Sequence, residues 1–96
     1  MHLSEIQITP IKPQDGLVGF ASFVLNQSLY LGSVGIFTRP QGGYRLVYPT
    51  KKVGLRDINL FHPISKEFAS EVEVAVLSKF EEVMKSNVRH YSLNTE

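Results

Sequence analysis

The stretch "HPISKEFASEVEVAVLSKFEEV", residues 62–83, is where the period of the chain changes. Phe68, Val72, Ala75, Val76, Phe80 and Val83 recur there at spacings of three and four, which collects them on one face of an α-helix. Ser65 is placed to cap the helix N-terminus, and Ile64 before it to staple against Phe68 or Ala69. Glu67 suits the positive end of the helix dipole. The spacing predicts a helix running to about Lys85 or Val88, then a tail, "RHYSLNTE", without a sustained period.

Before this stretch the period is two. "SEIQITPI" alternates Ile6 and Ile8 against Glu5, Gln7 and Thr9 up to Pro10, as a strand does. After the turn signal "PQDG", the run "LVGFASFVL" sets Val18, Phe20 and Val24 against Leu17, Ala21, Phe23 and Leu25. "NQS" then leads into "LYLGSVGIFT", where Tyr30, Val34 and Ile36 oppose Leu29, Leu31 and Phe37. After "RPQGG", "YRLVYP" puts Tyr44, Leu46 and Tyr48 on one side and Arg45 and Val47 on the other, with Pro49 closing the strand. "VGLRDINLF" reads as a short fifth strand suited to a sheet edge. The expected fold is α+β: an antiparallel sheet of four to five strands, followed by one long C-terminal helix packed on it.

Residues 1–96 read as a single domain with its core over about 3–85 and a tail over 86–96. A chain of this size hides only about 60–65% of its unfolded surface, so its core is modest. A second helical stripe, Val74, Leu77, Met84 and Val88, adds apolar surface that one sheet cannot cover. Either loops fold over it or a second copy does, and we expect a homodimer.

Composition narrows the chemistry. The apolar fraction of 43% and charged fraction of 20% are those of a globular chain. The absence of cysteine removes disulfides and thiolate catalysis and disfavours a structural zinc site. The N-terminus lacks the pattern of a signal peptide, and no window nears the ~20 apolar residues of a membrane span, so a cytoplasmic protein is expected. His62, five residues after Asp57, could imitate a general base and its orienting acid. The structural role is the one we expect: a hydrogen bond that holds the extended residue before Pro63 and aligns the start of the helix. "GLVG" and "GSVG" lack the helix and the Lys-Ser/Thr of a phosphate loop. We expect no enzyme activity, no cofactor, no metal and no small-molecule substrate.

The net charge of +1 conceals a division. Residues 39–56 hold Arg39, Arg45, Lys51, Lys52 and Arg56 with no acid, whereas residues 65–85 hold five glutamates and three lysines. Lys51 and Lys52, read as part of a flexible loop after Pro49, can follow a phosphate backbone, and Arg56 can make a forked contact. Tyr44 and Tyr48 offer stacking surface nearby. The same cations would also serve a solvated sheet edge that discourages aggregation.

The residues "YPTKK", "GLRDI" and "HPIS", followed by "AVLSKFEEV", resemble the stage V sporulation protein G (SpoVG) family of septation regulators. The resemblance spans about residues 3–83. It implies a small dimeric α+β protein that binds DNA and RNA and regulates gene expression in bacteria, with links to septation or sporulation in some lineages. By position, the family's paired basic residues fall on Lys51 and Lys52 and the arginine of its Arg-Asp-Ile on Arg56; Arg39 and Arg45 join them on charge alone. Asp57, His62, Pro63 and Ser65 would be structural, Asp57 because a carboxylate repels phosphates unless it orients an arginine. Two departures stand out. Only Val53, Gly54 and Leu55 separate the lysines from Arg56, a shorter loop than the family has, and "NLF" is added before His62. The rival expectation is a protein-interaction module that docks a partner through a sheet edge or the second helical stripe, its lysines serving solubility.

Overall fold

The computed structural model describes the backbone of residues 1–94 and the side chains of residues 1–86. Four strands, β1 (Leu3–Gln14), β2 (Leu17–Leu25), β3 (Leu29–Thr38) and β4 (Tyr44–Val47), form an antiparallel meander in chain order. β5 (Thr50–Val53) and β6 (Arg56–Asn59) form a separate two-stranded sheet, and α1 (Lys66–Asn94) closes the chain. The fold is α+β, an antiparallel sheet carrying a C-terminal helix.

Local chemistry accounts for the turns. Asp15 and Gly16 both take positive φ (52° and 89°) between β1 and β2, the conformation of a type I′ hairpin turn, whose twist matches that of the strands. Pro10 lies inside β1 rather than ending it. That is tolerated because β1 is an edge strand and need not donate on both sides.

The core is the set Ala21, Phe23, Val34, Ile36, Val72, Val76 and Phe80. β2 and β3 supply the first four from one sheet face, and α1 supplies the rest across it. Tyr44, Leu46 and Tyr48 pack against this set as their alternation predicts, with the Tyr44 ring edge-on to Phe80 at 4.9 Å.

Two irregularities redirect side chains that simple alternation misassigns. A bulge between Leu17 and Gly19 turns Val18 onto the core, while Leu17 comes to lie beside Gly35 under the opposite face. On β3, Ser33 has φ of 62°, and Ala21 pairs with Val34 while Phe23 pairs with Leu31. The extra residue on β3 lets Leu31, Val34 and Ile36 all reach the core and sends Tyr30 to the other side. Tyr30 therefore does not share the face of Val34 and Ile36.

The helix begins as expected: the Phe68 N–H donates to Ser65 Oγ at 3.1 Å, and the Ala69 N–H to the Ser65 carbonyl at 3.0 Å. Ile64 is 94% exposed, so no hydrophobic staple forms. The helix runs on to Asn94, past the end that its apolar period suggests, so "RHYSLN" is not an irregular tail. Leu77 and Met84 pack on the core rather than forming a second, free stripe. Val74 is left outside at 65% exposure, and the Val88 side chain lies outside the described residues. No helix among the described residues is long and apolar enough to cross a membrane.

Candidate nucleic-acid interface

The segment from Thr50 to Asn59 is a hairpin rather than a loop and a single strand. Its turn is Gly54–Leu55. Gly54 takes φ of 63°, the first central position of a type II′ turn, where a side chain is disfavoured. The ends of the ribbon are gathered where the Leu60 N–H donates to the Pro49 carbonyl at 3.0 Å.

This arm stands apart from the body. Neither strand makes extensive contact with the four-stranded sheet or the helix, and every residue from 50 to 60 is exposed, with Leu55 at the tip 100% so.

The register decides what the arm presents. Lys51 pairs with Ile58, Lys52 with Asp57 and Val53 with Arg56. Since neighbouring residues of a strand point to opposite faces, Lys51, Val53, Arg56 and Ile58 share one face, and Thr50, Lys52, Asp57 and Asn59 share the other. The paired lysines are thus divided. Lys51 and Arg56 form a cationic couple flanked by two apolar side chains, whereas Lys52 stands directly across from the carboxylate of Asp57. Asp57 accordingly faces Lys52 and not Arg56, its neighbour in sequence. The only ion pair among the described residues is elsewhere, Lys79 to Glu82 at 3.4 Å on the helix.

Arg39 and Arg45 belong to the body. Arg39 Nε donates to the Tyr44 carbonyl at 3.0 Å across the β3–β4 turn, and the Arg45 guanidinium lies 5.5 Å from the centroid of the Phe37 ring, a cation–π distance. Both are held by β3 and β4, away from the hairpin in the chain. The structure therefore brings Lys51 and Arg56 onto one face, sets Lys52 on the other, and leaves Arg39 and Arg45 on a different element.

The link from arm to helix is built from Phe61, His62, Pro63 and Ser65. His62 Nδ1–H donates to the Pro63 carbonyl at 3.0 Å, a local bond on an exposed ring. Phe61 sits edge-on to Tyr48, 6.0 Å between ring centroids, so the added apolar residue before His62 extends the core. Beside it lies an apolar cleft of about 170 Å³, walled by Leu29, Leu31, Tyr48, Phe61, Pro63 and Phe68. The Tyr48 hydroxyl is buried with no hydrogen-bond partner. Burial first, and the Glu73 carboxylate second, push its pKa up to about 12.

Among the described residues no group of three His, Cys, Asp or Glu is placed to hold a metal ion. Sequence reading missed the hairpin because Lys51 and Lys52 carry no apolar alternation; the Gly54–Leu55 step between two four-residue runs was the available signal. No family model matches the chain, and no curated protein matches it in sequence.

Proposed function

We propose that the protein binds the phosphate backbone of DNA or RNA through the β5–β6 arm, as a regulator of gene expression in the bacterial cytoplasm. The observation that carries this reading is a free-standing ribbon with every residue exposed and Lys51, Lys52 and Arg56 distributed over both faces. A two-stranded ribbon fits the width of a DNA major groove, and cations on both faces can reach phosphates on either side of it. The likeness of "YPTKK", "RDI" and "HPIS" to the stage V sporulation protein G family supports the same reading and supplies its regulatory setting.

The test is fluorescence anisotropy of labelled duplex DNA and single-stranded RNA over a salt series. Binding should weaken steeply as salt rises and vanish in a folded Lys51→Glu, Lys52→Glu variant. The milder Lys51→Gln, Lys52→Gln variant should flatten the plot of log affinity against log salt by about two units per protomer, close to one for each lost phosphate contact. Full binding by the charge-reversed protein would remove the proposal.

A second reading is favoured by a specific feature of the arm. Val53 and Ile58 are about half exposed, and Leu55, Leu60 and Ile64 more so, while an isolated two-stranded ribbon is only marginally stable in water. We propose that a second copy covers this apolar surface, giving a homodimer joined through the arm and the adjoining link rather than through the helix. Light scattering at micromolar concentration should return twice the chain mass, and Ile58→Glu with Leu60→Glu should return the mass of one chain. A heterologous protein partner in place of the second copy would leave the wild type monomeric.

A further inference from the structure

The sheet has two faces, and the helix covers one. Along the other, the pairing Ser4–Val24–Tyr30, then Gln7–Ser22, then Thr9–Phe20–Gly35–Val47, then Leu17–Phe37–Arg45 puts aromatic rings and small polar groups on a surface that no element among the described residues covers. These rows contain no carboxylate, and the one acid of β1, Glu5, sits in a bulge between Ser4 and Gln7.

The rings are laid down on this surface by two missing Cβ atoms. A Cβ at Gly35 would come 2.9 Å from Phe37 Cε1, and one at Gly32 would come 3.0 Å from the Tyr30 hydroxyl. The Phe37 ring thus lies over Gly35, under the Arg45 guanidinium. Phe20 pairs with Gly35 from the neighbouring strand and is 38% exposed, and Tyr30 is 69% exposed. Between Phe20 and Tyr30 opens a cleft of about 260 Å³, edged by Gln7, Thr9, Ser22 and Ser33. That is smaller than the roughly 300–1,000 Å³ of sites for drug-sized ligands, and it suits one planar ring at a time.

We infer that this face stacks unpaired nucleobases, with Phe20 and Tyr30 as the stacking rings and the amide and hydroxyl groups of Gln7, Ser22 and Ser33 meeting the polar edges of a base. The inference rests on the nucleic-acid reading above and adds a second surface to it, specific for single strands. The chemistry fits a base better than an apolar peptide or lipid. Its floor is aromatic, its rim carries neutral donors and acceptors, and its charge is the Arg45 cation, which attracts a phosphodiester strand passing over it. A base inside a duplex cannot present its ring face, so the surface selects single strands without reading their sequence.

The test compares a fluorescein-labelled twelve-nucleotide oligo(U) with a twelve-base-pair duplex, using the full chain. Phe20→Ala and Tyr30→Ala should each weaken oligo(U) binding by about tenfold, the lower-middle range for losing one stacked base, and leave duplex binding unchanged. Lys51→Glu with Lys52→Glu should remove both. Phe20→Trp keeps a ring, guards against a folding artefact, and gives the chain its only tryptophan; oligo(U) should quench its emission and duplex should not. Oligo(U) binding that ignores both alanine variants, or an unquenched tryptophan, overturns the inference while the arm's role survives. No binding of either nucleic acid by the wild type overturns both. Loss of dimer mass in Phe20→Ala or Tyr30→Ala would show that a second copy occupies this face, and would also overturn it.

Discussion

The body and the arm are both built from antiparallel strands, yet they hold themselves together differently. In the body, Ala21, Phe23, Val34 and Ile36 gain a helix to lie against, and each is at most 3% exposed. In the arm, strand pairing yields two wet faces, with Val53 and Ile58 half exposed and nothing among the described residues to cover them. A strand pattern therefore specifies a direction for each side chain but not a partner. The body finds its partner within the chain, and the arm must find one outside it. This is why we place binding on the arm.

The difference predicts unequal responses to mutation. Phe80 is 2% exposed and meets both Tyr44 and the β-sheet core. Phe80→Ala should cost about 3–5 kcal/mol, the range for emptying a buried aromatic site, seen as a large drop in the urea midpoint. A drop of under about 1 kcal/mol, well below that range, would mean that the helix is not what stabilises the sheet. Ser65→Ala removes the hydroxyl that accepts from the Phe68 N–H. It should cost about 1 kcal/mol, and Ser65→Asp should restore most of it. A larger loss would mean that Ser65 does more than cap the helix.

The arm should answer in the opposite way. Gly54→Ala places a Cβ on a residue with φ of 63° that has nothing within 4 Å of it, so the strain is purely of the backbone, roughly 1–3 kcal/mol. Because the arm is not packed on the body, that strain should fray the ribbon without unfolding the protein. Amide exchange at residues 51–58 should quicken while the urea midpoint stays within about 0.5 kcal/mol of wild type, the usual margin for a surface change. A midpoint that falls by the full strain would show that arm and body fold as one cooperative unit.

The same contrast explains what was legible in the sequence. The order of strands then helix, the four body strands, the Ser65 cap and the Tyr44–Leu46–Tyr48 face follow from local periodicity and stand in the structure. What escaped depends on more than period. The bulges at Leu17–Gly19 and at Ser33 each shift the alternation by a residue, so Leu17 and Val18 exchange sides, and Leu31 rather than Tyr30 joins Val34 and Ile36. The arm was hidden because its strands are polar on one face and half-apolar on the other, with no buried set to announce them. Lys51 and Lys52 are adjacent in sequence and divided in space, as strand geometry requires.

Tyr48 gives the smallest effect at neutral pH and the sharpest dependence on it. Its ring packs against Phe61 and its hydroxyl is buried without a partner, so Tyr48→Phe removes an unmet polar group and should leave neutral-pH stability unchanged or slightly raised. The alkaline limb is where the two proteins should separate. Burial, with Glu73 adding, lifts the folded pKa from a tyrosine's ordinary 10.0 to about 12. Below pH 10 both states hold the proton and no difference arises. As pH rises from about 10, the unfolded chain releases a proton that the folded protein keeps, so ionisation favours unfolding and stability declines until the folded pKa is passed. Wild-type stability should therefore fall between about pH 10 and 12 more steeply than that of Tyr48→Phe, as urea midpoints at each pH would record. Parallel curves would mean that the hydroxyl reaches water in solution, and that the cleft beside Phe61 and Pro63 opens more readily than the packing of the body implies.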